Sequence, residues 1–217
     1  MTLLSQNYYK NLTIKIEDRD MVGYTYTEIP SDFSPLSEIR NLKIRLITED
    51  VKFKVFENTF DRYESYLRFI GNQYPDSIIT GSLALNLYSL IYREIKDIDL
   101  IVDKRPPGSF HKDRYGDENI ELNSERLGYQ YITEDFSWKR PFNKRQTFNV
   151  DFFLDKNDSI KYNTFTFNKK TYKIQDPVQI IEQKLEMVNN AENHMYESKR
   201  KHNKDLYVFF KNLNWKN

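Results

Sequence analysis

The feature that most constrains the fold is the order of elements between residues 77 and 102. A short apolar strand candidate, Ser77 to Thr80, leads directly into Gly81-Ser82, and a buried helix candidate follows and continues through Leu90-Ile91. The chain then reaches Asp97-Ile98-Asp99-Leu100-Ile101-Val102, which alternates and then becomes wholly apolar. That is the pattern of a central strand whose first residues lie at the rim of a sheet. The order strand, turn, helix, strand predicts an α/β core.

Asp97 and Asp99 are the first candidates for chemistry. Because side chains alternate across a strand, both carboxylates project from one face and repel each other unless a cation lies between them. Hard oxygen ligands at this spacing suit Mg2+, with Mn2+ as a substitute. A two-ion arrangement needs a further carboxylate on a neighbouring strand. The best candidate is Asp151, an isolated acid in an apolar run, and Asp155 at the exit of that run is the alternative.

Gly81 and Ser82 form the second candidate feature. Glycine permits a tight turn and close approach of the backbone to a ligand, and the N–H groups at the start of a helix favour phosphate. The Ser82 hydroxyl can bind the same anion. A Gly-Ser pair before a helix is also commonly only a cap. We expect a polyphosphate to be held between this turn and a metal on the Asp97–Asp99 strand. This arrangement implies a reaction by in-line attack on the α-phosphate.

Outside this segment the sequence predicts a mixture of strands and helices. Apolar residues from Val51 to about Tyr74 recur every three or four positions, which indicates an amphipathic helix, and Gly71 and Pro75 mark its end. Asp176 is a suitable N-cap for a helix that starts at Pro177. The other predicted elements are strands at 12–16 and 24–27, a turn at 30–35, an ambiguous apolar stretch at 42–47, a long loop from 103 to about 125, strands at 129–132 and 148–154, a hairpin across 165–174, and helices over 178–189 and from about 192 to 213.

Composition excludes some classes of protein. The 217 residues contain no cysteine, so disulfides, thiolate metal ligands and thiol catalysis are excluded. With 16 tyrosines and 15 phenylalanines the chain has the composition of a globular protein with an aromatic core. The net charge of +1 gives no indication of a polyanionic partner. No apolar run is long enough to span a bilayer, and we expect a cytoplasmic protein without membrane contact.

The runs Thr80-Gly81-Ser82-Leu83-Ala84-Leu85-Asn86-Leu87 and Arg93-Glu94-Ile95-Lys96-Asp97-Ile98-Asp99 resemble the signature of the DNA polymerase beta nucleotidyltransferase superfamily. Among its branches they most resemble the AbiEii-type toxin group. The resemblance implies an α/β (α+β) fold: a small, twisted mixed sheet flanked by helices, with a C-terminal helical lobe. We expect an N-terminal extension over 1–72, a catalytic core over 73–160, and a hairpin with the helical lobe over 161–217.

The resemblance also implies roles for residues in the second half of the chain. Lys184 would reach the triphosphate from the helical lobe, and Asp205 would orient it or help to bind the base or the acceptor. A lysine that snorkels from an apolar helix face is the alternative for Lys184. Arg93 is a third candidate for binding phosphate, and an arginine that contacts the last carbonyls of a helix is its alternative.

Together these features predict a magnesium-dependent enzyme that moves a nucleoside monophosphate from an NTP, such as ATP, to an acceptor hydroxyl. The acceptor would be RNA, tRNA especially, or a protein, and the resemblance extends the partners to an antitoxin. A degenerate nucleotidyltransferase fold that binds a nucleotide or a partner without turnover is the alternative. The basic cluster over 199–204, which includes Lys201 and His202, is interpreted as a solvated helix face that could also steer RNA.

Overall fold

The computed structural model describes residues 28–49, 53–109, 124–136, 144–155, 158–190 and 196–213. The strands predicted at 12–16 and 24–27 lie outside these residues. Within the described part of the chain no helix is long and apolar enough to cross a bilayer.

Six strands form one mixed sheet. They are β1 (Ile78–Ile79), β2 (Ile98–Val102), β3 (Ser124–Phe136), β4 (Lys144–Asp155), β5 (Tyr162–Phe167) and β6 (Lys170–Gln175). The strand order is β3-β4-β2-β1-β6-β5. β2 runs parallel to β4 and antiparallel to β1, and β1 runs parallel to β6. The predicted mixed α/β sheet flanked by helices is confirmed.

The strands β3 and β4 are longer than the sequence indicated. They pair antiparallel from Ser124↔Asp155 to Phe136↔Lys144, with a register shift between Arg126 and Gly128. The predicted strands at 129–132 and 148–154 are therefore present, but their predicted bounds are too short. Backbone pairing between two adjacent strands does not require apolar side chains, so the apolar runs marked only the part of each strand beside the core.

The described helices are α1 (Pro35–Glu49), α2 (Phe60–Gln73), α3 (Gly81–Leu87), α4 (Pro177–Asn190) and α5 (Tyr196–Leu213). The ambiguous stretch at 42–47 belongs to α1. A short 3-10 turn, Glu57–Thr59, precedes α2, so the prediction that this helix begins at Val51 is wrong. Phe53 is buried in a non-helical conformation, and the backbone N–H of Phe56 donates to the carbonyl of Leu87 at 3.0 Å. These aromatics pack on the core from an extended segment at intervals that imitate helical spacing.

Helix α3 ends earlier than predicted. Ser89 has a left-handed backbone with φ of 58°, and its N–H donates to the carbonyl of Asn86 at 2.9 Å. Leu90 and Ile91 are buried, as expected, but they lie beyond the helix. Burial and helical structure are separate properties here because a short loop can also carry apolar residues into the core.

The C-terminal elements follow their local signals closely. Asn168 and Lys169, with φ of 48° and 63°, form the two-residue turn between β5 and β6, which is the left-handed pair that a tight hairpin needs. Asp176 Oδ1 accepts a hydrogen bond from the N–H of Val178 at 2.9 Å, which confirms it as the N-cap of α4. The predicted hairpin and helix are both present.

Helix α1 packs against the two C-terminal helices. The ring of Phe33, just before α1, meets the ring of Tyr207 edge-on with centroids 5.1 Å apart. Lys43 of α1 forms an ion pair with Glu182 of α4. The helical layer beside α4 and α5 is therefore built from segments that are distant in the sequence.

Candidate active site

Three carboxylates meet on two adjacent parallel strands, at the start of β2 and within β4. Asp99 of β2 lies directly opposite Asp151 of β4 in the sheet register, so both side chains leave the same face. Asp97 lies two residues before Asp99 on that face. A carboxylate oxygen from each of the three aspartates lies within 4.8 Å of one from each of the others. The sequence anticipated all three residues of this acidic cluster.

Gly81 brings the backbone of the turn onto this cluster. Its φ is +63°, which is the left-handed region that favours glycine, and a Cβ atom at this position would overlap Oδ2 of Asp99. The backbone N–H of the preceding residue, Thr80, donates to the carbonyl of Asp99 at 3.0 Å. The Gly81-Ser82 turn and the acidic cluster are thus in direct contact.

The environment of Asp99 makes its ionised form costly. Burial of the carboxyl group, followed by the negative charges of Asp97 and Asp151, raises the pKa of Asp99 to about 7. The positive charges of Lys184 and Lys201 act in the opposite direction. A cation bound between the carboxylates would relieve this repulsion, so the chemistry of the three donors fits a hard divalent ion such as Mg2+.

Ser82 has the properties of a ligand-binding hydroxyl. It is buried, and its Oγ has no hydrogen-bond partner among the described residues. Most buried hydroxyls are hydrogen-bonded, so an unpaired one beside an acidic cluster needs an explanation. A phosphate oxygen held beside the Gly81-Ser82 turn would provide the missing acceptor.

Asn86 fixes the other end of this short helix. Its amide nitrogen donates to the carbonyl of Ser82 at 2.8 Å, and its amide oxygen accepts from the hydroxyl of Tyr63 at 2.8 Å and from the backbone N–H of Arg93 at 3.3 Å. Burial raises the pKa of Tyr63, so its hydroxyl stays a donor at physiological pH. Asn86 therefore ties Ser82 to the segment that carries Arg93.

A buried ion-pair cluster lies in the field of the three aspartates. Asp205 on α5 is fully buried; its Oδ2 accepts from the ammonium group of Lys184 at 2.8 Å, and its Oδ1 lies 3.2 Å from Nε of Arg93. The predicted alternatives for both cations are therefore wrong: Lys184 is buried rather than snorkelling, and Arg93 pairs with Asp205 rather than with the last carbonyls of α3. The structure brings together three residues that are far apart in the sequence.

Lys201 and His202 extend this cluster. Lys201 as a whole is exposed, in keeping with the predicted solvated helix face, whereas His202 is half-buried. Burial of its amine and then the charge of Arg93 lower the pKa of Lys201, while Asp97 raises it. Burial and the charge of Lys184 lower the pKa of His202 to about 3, so this imidazole is neutral at physiological pH. Their position three and four residues before Asp205 on a helix is the signal that could have placed them beside it.

Asp155, the alternative third acid, has a structural role in the turn after β4. Its carboxylate accepts hydrogen bonds from the backbone N–H groups of Ser159 at 2.9 Å and Ile160 at 3.0 Å. It stabilises the turn that follows β4 and does not belong to the group of three acids.

With the fold and site described, the chain can be compared with known proteins. No family model matches the sequence, and no curated protein matches it. Among solved structures it is similar to an antigenic nucleotidyltransferase-like protein from Paracoccidioides brasiliensis, with 13% identity and a TM-score of 0.40 over 71% of this chain and 77% of that chain. A likeness this remote does not establish function, which has to be inferred from the geometry of the site.

Proposed function

We propose that this protein is a magnesium-dependent nucleotidyltransferase that transfers a nucleoside monophosphate from an NTP to an acceptor hydroxyl and releases pyrophosphate. The observation that carries the proposal is the convergence of Asp97, Asp99 and Asp151 beneath the Gly81-Ser82 turn. Carboxylates on two parallel strands supply the ligands for metal ions, and the turn supplies groups that bind phosphate.

Asp97 and Asp99 would hold both metal ions, and Asp151 would share the ion nearer the acceptor. Bound there, magnesium neutralises charge on the reacting phosphate and orients its oxygens. The burial and the repulsion that raise the pKa of Asp99 support this assignment. Both make the ionised carboxylates unfavourable without a cation, and a bound cation would stabilise them.

The triphosphate of the donor would lie between the turn and the buried cations. The Ser82 hydroxyl would donate to a phosphate oxygen, and Lys184 and Arg93 would supply positive charge from the opposite side. Asp205 contacts both cations and would hold them in place.

The reaction is an in-line displacement. The acceptor oxygen forms a bond to the α-phosphorus while the bond from that phosphorus to the bridging oxygen of the β-phosphate breaks, and pyrophosphate leaves with the electron pair. The proton of the acceptor hydroxyl would pass to the carboxylate of Asp151 on β4. The identity of the acceptor, RNA or protein, and a toxin-like role with an antitoxin partner stay predictions.

The proposal is tested by incubating the protein with each α-labelled NTP, Mg2+, and either cellular RNA or cellular protein. We expect label to enter one acceptor fraction and an equal amount of pyrophosphate to form. Asp97→Asn, Asp99→Asn and Asp151→Asn should each reduce transfer by roughly 1,000-fold, because each removes charge that acts on the transition state.

Asp103→Asn is the matched control, since Asp103 is an exposed aspartate just after β2 and lies outside the acidic cluster. Its activity should equal that of the wild type. Unaltered transfer by any of the three cluster variants would overturn the proposal. Nucleotide binding with Mg2+ in calorimetry, without pyrophosphate release from any acceptor, would instead support the degenerate alternative.

A further inference from the structure

Gln175, the last residue of β6, is the most deeply buried polar side chain near the site that the proposed chemistry does not use. It is 0% exposed. Its amide oxygen accepts a hydrogen bond from the hydroxyl of Thr80, and its amide nitrogen donates to Oε1 of Gln183 at 3.5 Å. Burial of an amide is unfavourable unless it is hydrogen-bonded, and here the two partners belong to different parts of the site.

Thr80 connects Gln175 to the Gly81-Ser82 turn. It occupies the N-cap position of α3 with an extended backbone, but its side chain makes no capping hydrogen bond. The hydroxyl is directed to Gln175 instead, while the backbone N–H donates to the carbonyl of Asp99. Thr80 is therefore fixed between β6 and β2. Because the Gly81-Ser82 turn begins at the next residue, these contacts also fix the position of the turn.

Gln183 connects Gln175 to the cationic side of the site. It is buried on α4 and immediately precedes Lys184, whose ammonium group pairs with Asp205. A shift of Gln183 along or around the helix axis moves Lys184 with it, because the two residues share a helical turn. One side chain thus contacts both the segment that carries Ser82 and the helix that carries Lys184.

We propose that Gln175 is a positioning residue that sets the distance between the Ser82 turn and the Lys184 helix, and thereby determines affinity for the triphosphate of the donor nucleotide. This inference rests on the proposed function. Gln175 acts through Thr80 and Gln183 and does not itself touch the substrate. Its loss should weaken nucleotide binding and leave the acceptor side of the reaction unchanged.

The test measures the dissociation constant of each NTP with Mg2+, together with KM for nucleotide and acceptor. Gln175→Met, which keeps the shape of the side chain but removes both hydrogen bonds, should weaken nucleotide binding by roughly 10-fold. Thr80→Val should give a similar loss, and Thr80→Ser, which retains the hydroxyl, should restore binding. The double variant Thr80→Val/Gln175→Met should bind nucleotide no more weakly than Gln175→Met alone, since that single variant already removes the contact with Thr80.

Tyr172→Phe is the matched control for a general loss of stability. Tyr172 lies on the same strand, and its hydroxyl donates a buried hydrogen bond to the carbonyl of Leu67 at 2.9 Å, away from the acidic cluster. This variant should lose thermal stability to a similar extent but bind nucleotide as the wild type does. Because Thr80→Val and Thr80→Ser test the same contact, the inference stays testable even where Gln175→Met does not fold.

The inference is overturned by unchanged nucleotide affinity in folded Gln175→Met or Thr80→Val, by equal losses in Thr80→Ser and Thr80→Val, or by a matching loss in Tyr172→Phe. A rise in KM for the acceptor without one for the nucleotide would overturn it as well. Failure of the proposed function can be distinguished from failure of the inference about Gln175, because it appears as absent nucleotide binding or transfer in the wild-type protein itself.

Discussion

At the scale of single residues, Gly81 is the position where the absence of a side chain matters most. Its positive φ and its contact with Asp99 together leave no room for a side chain. Gly108 offers a comparison, because it also has a positive φ, of 74°, but among the described residues a Cβ atom there would meet only Nε2 of Gln130 at 3.4 Å. The two glycines share the same backbone requirement and differ in what an added Cβ atom would meet: Asp99 of the acidic cluster at Gly81, and Gln130 at Gly108.

We therefore expect Gly81→Ala and Gly108→Ala to differ in activity more than in stability. Each variant places a Cβ atom in the left-handed region, which costs about 1–2 kcal/mol. In Gly81→Ala the methyl group must also displace the carboxylate of Asp99, so nucleotide transfer should fall by roughly 100-fold.

Denaturant unfolding and a transfer assay on both variants check this expectation. Gly108→Ala should keep wild-type transfer despite its loss of stability. Full activity in Gly81→Ala would show that the contact between the turn and Asp99 is not required for the reaction.

At the scale of elements, α4 and α5 are joined by the buried pair of Lys184 and Asp205. The same α4 helix also carries Glu182, which pairs with Lys43 of α1 near the surface. Side-chain exposure is 7% and 0% in the first pair but 53% and 30% in the second. One helix therefore contains a buried and an exposed ion pair that can be compared directly.

Asp205→Asn should destabilise the protein by about 3–5 kcal/mol, because it leaves two buried cations without their carboxylate. Adding Lys184→Met should recover part of that stability by removing one buried charge, whereas nucleotide binding should stay weak because the cation itself is gone. Thermal unfolding and NTP titration of the single and double variants separate these two effects.

Glu182→Gln is the control and should change the free energy of unfolding by no more than about 1 kcal/mol, as is usual for exposed pairs. If the double variant recovered nucleotide binding as well as stability, Lys184 would have only a structural role.

At the scale of the whole molecule, the first and last described helices form one layer. Leu42 of α1 is 0% exposed and belongs to the same apolar cluster as residues of the sheet and of α5, whereas Ile47 of the same helix is 85% exposed. The α1 segment, expected from sequence to be part of an N-terminal extension, contributes directly to the core.

Leu42→Ala should therefore destabilise the entire protein by about 3 kcal/mol. Unfolding should remain a single transition seen equally by far-ultraviolet circular dichroism and by aromatic fluorescence, because α1 shares its core with the rest of the chain. Ile47→Ala should lie within about 0.5 kcal/mol of the wild type. A separate early transition in Leu42→Ala would show that α1 unfolds as an independent unit.

The amino-acid sequence by itself determined the features that depend on neighbouring residues. Alternation placed Asp97 and Asp99 on one face, the Asp176-Pro177 pair started α4, and the run around 168–170 formed a hairpin, because each signal acts within a few residues. The same local rules failed between Phe53 and Phe56 and beyond Leu87, where apolar spacing reflected burial in a non-helical segment or a loop.

Only the tertiary structure decided which distant side chains meet. Asp205 lies 21 residues from Lys184, and Thr80 lies 95 residues from Gln175, yet each pair is in contact and buried. No local period encodes such contacts, because they form only when the sheet brings β1 beside β6 and the helices pack on each other. The sequence could therefore identify the three acids, while the buried pairing of Asp205 with Lys184 and Arg93 required the folded chain.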